Sequence, residues 1–216
     1  MKKVLILVEI VLMSLLLSSF LPKNKKSNNH FPKKVQISDV YNIDIEKSKV
    51  NWTCKGVGKQ HTGYVKIQSG KINIDTKTIT GGFVYINMKS ITNTDITDAG
   101  FNKNLVDHLK SKDFFASATY PTSTFKILKT ERFDVAEGKP NYKIYGELTI
   151  KNTKKPIEFL STISYTKKSI RVTGDIVLNR TEWGITYNSG NYFQDLGDKL
   201  IEDNINLSLD IFADIQ

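Results

Sequence analysis

Residues 142–178 read YKIYGELTI-KNTKKP-IEFLSTISY-TKKS-IRVTGDIVL. Three runs rich in Ile, Val, Thr, Tyr and Phe are separated by short turns carrying Lys, Asn, Pro and Ser. Within the runs Ile144, Leu148, Ile150, Val172, Ile176 and Leu178 recur at period two, which places them on one face of an extended chain. Such runs read as half-buried strands, and their short spacing makes neighbouring strands antiparallel. The pattern extends in both directions. Upstream, Tyr41, Ile43 and Ile45 alternate with Asn42, Asp44 and Glu46, and Val50 and Trp52 resume the phase. Residues 64–67 and 72–74 flank Gly70-Lys71, which is predicted to turn a hairpin. Residues 83–88 put Val84, Ile86 and Met88 on one face, and 205–211 form the last run. About eight short strands without long crossovers predict an all-β antiparallel sandwich or barrel.

One segment departs from this period. In residues 101–113, FNKNLVDHLKSKD, the apolar positions Phe101, Leu105 and Leu109 are four apart, with Val106 beside them. That spacing predicts one short amphipathic helix, laid on the sheet or across a barrel mouth.

The ends of the chain are read from charge and hydropathy. Lys2-Lys3 precede a stretch, residues 4–17, that is apolar except for Glu9 and Ser14, and Ser18-Ser19 follow. Residues 1–19 therefore read as a secretory signal cleaved near Ser19, which places the protein in the periplasm or outside the cell. Glu9 and the lysines after Pro22 keep a retained anchor open as the alternative. Residues 20–40 form a basic polar linker, first a solvated tether and second a segment that touches an anionic membrane surface. The barrel domain is expected over 41–216. Its oligomeric state, a homodimer included, is left open.

The formal charge of +9 is concentrated at the amino terminus. Residues 1–34 hold seven lysines against Glu9, leaving 24 basic and 21 acidic groups for the rest of the chain. A nearly balanced domain argues against nucleic acid as the partner. The single cysteine, Cys54, excludes an internal disulfide framework and reads as a small apolar filler. His61 and His108 lack metal-ligand spacing and are expected to bond loop or helix ends. Residues 95–106 resemble a calcium loop only at the start, because Ala99 and Val106 stand where ligands are needed. Gly56-Val-Gly58 leads into a strand and is no nucleotide fingerprint. No enzyme activity, metal or cofactor is expected.

Five motifs occur in order. Trp52 is followed by His61-Thr-Gly63. Next comes DHLKSKDFF over 107–115, then Tyr120-Pro121 with Thr124-Phe125. GELTIK over 146–151 precedes TKKP over 153–156, and NRTEWGI spans 179–185. This succession, over residues 41–213, resembles the YceI-like polyisoprenoid-binding family. The resemblance implies an extended lipocalin-like barrel of eight antiparallel strands that encloses an isoprenoid lipid or isoprenoid quinone. Trp183 stands where Phe is usual, and residues 92–100 and 188–199 are longer than in the shortest members.

On this reading the ligand is lined by Val84, Ile86, Phe125, Leu148, Ile176 and Leu178, with Phe114 and Phe115 closing over the barrel. Gly146 in phase with Leu148, together with Gly82 and Gly174, leaves either volume along the axis or strand bends. Arg180, beside Trp183, meets a polar head or forms an ion pair with Glu182 or another carboxylate. The expected function is an exported lipid-binding protein for transport, storage or stress protection. The alternative is an exported protein-interaction module with a filled core.

Overall fold

In the computed structural model, which describes residues 39–134, 136 and 139–215, the period-two segments pair into one closed antiparallel sheet. The strands are β1 (Asp39–Ile43), β2 (Lys49–Gly56), β3 (Lys59–Asp75), β4 (Thr78–Asn87), β5 (Thr122–Arg132), β6 (Tyr142–Ile150), β7 (Thr153–Tyr165), β8 (Ser169–Asn179) and β9 (Ile201–Ile215). Their order runs β3-β2-β9-β8-β7-β6-β5-β4 and closes through β4 on β3. β1 pairs with the end of β3 and the end of β9, beyond the stretch that β2 covers. Strands β1 and β2 thus share one position, broken at residues 44–48, and the barrel has eight positions. The predicted signal at 1–19 and the linker through residue 38 lie outside the described residues. Asp39 and Val40, assigned to the linker by sequence, open β1.

Two expectations need correction. Gly70-Lys71 does not turn the chain: β3 runs through it for 17 residues. A Cβ at Gly70 would stand 2.5 Å from Ile43 Cδ1 and 2.8 Å from Phe83 O, so glycine here permits close approach between strands. The hairpin turns at Thr76 and Lys77, both at positive φ. Residues 122–132 form β5, a strand that the period-two pattern does not predict. Their alternation is masked because the inward Ser123 is polar and the outward Leu128 is apolar.

The interior divides into two parts along the barrel axis. At the β3–β4 turn end, Tyr41, Ile43, Ile72, Ile79, Ile144, Ile163 and Ile170 form a closely packed core. There Tyr142 and Tyr165 both donate to Lys77 O at 2.9 Å, which seals that end with satisfied hydroxyls. Burial, with the hydrogen bond that Tyr165 donates to Tyr142, pushes the Tyr165 phenol well above its ordinary pKa.

The opposite end carries the one α-helix of the described residues, α1 (Ala99–Lys110). Asp98 caps it, accepting from Phe101 N at 2.8 Å. Leu109 packs on the core, but Phe101 is 70% exposed and does not belong to the predicted stripe. The loop before α1 is tied along β3 by Thr92 N and Thr94 N, which donate to Tyr64 O and Thr62 O. This contact explains Gly63, where a Cβ would stand 1.9 Å from Thr92 O and 2.6 Å from the Trp52 ring.

Candidate functional site

The α1 end of the barrel holds an apolar cavity of about 110 Å³. Val50, Trp52 and Cys54 of β2, Val65 of β3 and Ile86 of β4 contribute inward side chains, as do Leu148 and Ile150 of β6, Leu178 of β8, and Ile205 and Leu207 of β9. The alternation on each strand delivers them: positions two apart point to the same side of the pleat. Ile91, Leu109, Phe114 and Phe115 complete the wall on the helix side. Phe114 is held by rings, with His108 at 5.0 Å and Tyr187 at 5.4 Å between centroids. These contacts clamp the segment after α1 against the loop that follows β8.

Six residues expected from sequence stand in this wall: Ile86, Phe114, Phe115, Leu148, Leu178 and Arg180. Five others do not, and each has a physical reason. Val84 and Phe125 are register partners one step deeper, where Phe125 meets Phe159 at 5.8 Å and fills the bore. Ile176 is buried beside its register partner Leu207 and does not border the cavity. Trp183 is buried outside the cavity and donates from Nε1 to Leu148 O at 3.2 Å. Gly146 leaves no free volume, because a Cβ there would stand 2.3 Å from the Phe125 ring. Gly82 and Gly174 likewise abut backbone carbonyls, of Lys71 and Leu160 respectively. All three glycines serve packing rather than an open axis.

Sequence reasoning overlooked Val50, Trp52, Cys54, Ile205 and Leu207, although their spacing of two is the signal that marks them. Cys54 is half-buried, and desolvation pushes its thiol up despite the nearby Arg180.

Arg180 is 2% exposed. Its guanidinium donates to Ile185 O at 2.9 Å, Ile201 O at 3.1 Å and Glu202 O at 3.1 Å. Its ion-pair partner is Asp203, 3.1 Å from Nη2, and not Glu182. Asp203 in turn accepts from Ser189 Oγ and Asn191 Nδ2. Burial pulls the guanidinium below its ordinary pKa, and Asp203 opposes that pull. Through these contacts Arg180 clasps the loop after β8 to β9.

The histidines bond locally. His61 Nδ1 lies 2.8 Å from Asp95, and His108 Nε2 lies 3.0 Å from Asp113. Asp95 also accepts from Thr62 N and Asn93 Nδ2. Among the described residues no three metal-ligating side chains converge, and no helix is long and apolar enough to cross a membrane.

No curated protein matches the chain. Solved structures do. Burkholderia cenocepacia BcnA is 21% identical, with a TM-score of 0.61 over 79% of this chain and 98% of its own. A polyisoprenoid binding domain from Saccharophagus degradans, implicated in plant cell wall breakdown, is 13% identical, with a TM-score of 0.58 over 82% and 98%. The Campylobacter jejuni YCEI protein is 20% identical, with a TM-score of 0.51 over 91% and 96%. These likenesses establish a shared barrel fold. Residues 41–213 match the YceI-like domain, and the chain belongs to that family.

Proposed function

We propose that this barrel binds one apolar lipid chain of isoprenoid type in the cavity at its α1 end, as a carrier or store and not as a catalyst. The observation that carries the reading is an apolar cavity enclosed by inward branched side chains while the other half of the same barrel is packed. A stable fold has no need of that space, since each cavity forfeits contact energy. A branched hydrocarbon gains roughly 25 cal/mol per Å² of surface it buries there, without hydrogen bonds. The Saccharophagus degradans relative, a polyisoprenoid binding domain, supports the same ligand class.

The volume sets a limit on what enters. Engineered apolar cavities of about 150 Å³ hold benzene. At about 110 Å³ the inner cavity takes about one branched end of a chain, and the remainder extends past Leu109 and Phe114. Organic extraction of the purified protein followed by mass spectrometry should release an isoprenoid, as an alcohol, phosphate or quinone. Repeated extraction that yields no lipid would favour the interaction-module reading.

The proposed setting is extracytoplasmic, supported by the basic start and apolar run of residues 1–19. Amino-terminal sequencing of protein from a periplasmic fraction should begin near Phe20. Recovery of Met1 from the membrane fraction would make the segment a retained anchor.

A further inference from the structure

Beside the cavity, on the solvent side of Trp52, Cys54, Leu109 and Phe114, lies a groove of about 300 Å³. Those four residues belong to both walls, so a ligand that passes them has one end in apolar space and the other in the groove. The chemistry of the groove differs from that of the cavity. Lys55, Lys59 and Lys199 line it, and no Asp or Glu does. The nearby Asp198 and Glu202 are exposed and outside its wall. Its two histidines already face Asp95 and Asp113. None of the three lysines forms an ion pair among the described residues.

Their placement follows from the fold. Lys55 and Lys59 flank the β2–β3 turn, and Lys199 ends the 3-10 turn before β9. Val57 N donates to Leu200 O at 3.4 Å, which brings that turn against the hairpin. A second group points the same way. The indole Nε1–H of Trp52, in the shared wall, is buried and has no acceptor among the described residues. A cleft that carries charge of one sign concentrates anions.

We propose that the groove takes the anionic head, phosphate or carboxylate, of a single-chain amphiphile whose tail fills the cavity. The proposal rests on the lipid-binding reading above and narrows its ligand class to anions. Each exposed lysine contributes little alone, and three together give a preference on the order of tenfold at low salt, declining as salt screens them.

The test uses the full chain stripped of lipid and calorimetric titration with farnesyl phosphate, farnesol and palmitate. Farnesyl phosphate should bind about tenfold more tightly than farnesol at low salt, and the gap should close in about 1 M salt. The triple variant Lys55→Gln/Lys59→Gln/Lys199→Gln should erase the gap, leave farnesol binding unchanged and melt with the wild type, since all three side chains are exposed. Palmitate identifies the source of the head: losing affinity with the phosphate assigns carboxylates as well, and indifference assigns phosphates alone. Equal affinity of the wild type for phosphate and alcohol would overturn the head-group assignment while leaving lipid binding intact. A phosphate preference that survives the triple variant would also overturn it, by placing the head elsewhere. Failure of farnesol and farnesyl phosphate alike to bind would remove the underlying reading itself.

Discussion

Arg180→Met is expected to lower stability by about 3–5 kcal/mol, because it leaves the Asp203 carboxylate buried without its cation. For a domain of this size that corresponds to a drop of about 6–20 °C in melting temperature, measurable by calorimetry or circular dichroism. Three carbonyls, of Ile185, Ile201 and Glu202, also lose their donor in the variant. These groups join the loop after β8 to the start of β9, so the loss falls at the α1 end of the barrel. Arg180→Lys should fall between the two, since an ammonium keeps the charge but cannot span three carbonyls in one plane. The double variant Arg180→Met/Asp203→Leu tests the electrostatic part separately. Removing both charges should restore a substantial share of the loss, with the three carbonyls accounting for the rest. A single variant that melts with the wild type would mean that the pair contributes nothing to the fold.

The second large effect is on binding. Ile86→Trp should abolish lipid retention while leaving the barrel folded, because the indole projects into the space proposed for the hydrocarbon. Ile86 is only partly buried and borders the cavity, so the larger side chain meets open volume before it meets neighbours. Ile72→Trp supplies the contrast. Ile72 is 3% exposed in the packed end, where overpacking costs typically 1–3 kcal/mol and a Trp at a full position costs more. Lipid extraction and thermal melting of the two variants therefore separate the two halves of the interior. If Ile86→Trp is destabilised as strongly as Ile72→Trp, the space at the α1 end is not available to a ligand. If it folds and still carries lipid, the ligand sits elsewhere. Gly146→Phe cannot serve in this experiment. The Phe125 ring already occupies the inward side of Gly146, and even a methyl group there would collide with it.

Much of this protein was legible in the amino-acid sequence because the relevant signals are local. Alternation between adjacent residues fixes which side chains share a face, and so Ile86, Leu148 and Leu178 were placed inward before any strand was paired. The amphipathic spacing of Leu105 and Leu109 marked the helix for the same reason. Order among five motifs identified the family. Tertiary structure decided how far along the barrel axis each inward residue lies. That depends on register between strands far apart in sequence, and one step of register separates Ile86 in the cavity wall from Val84 against the filled layer. It also decided that Phe125 fills the place Gly146 leaves, and that Arg180 pairs with Asp203 instead of its neighbour Glu182. The groove lysines are the clearest case. Lys55, Lys59 and Lys199 carry no pattern in the sequence, because only closure of the sheet brings the β2–β3 turn and the start of β9 to one rim.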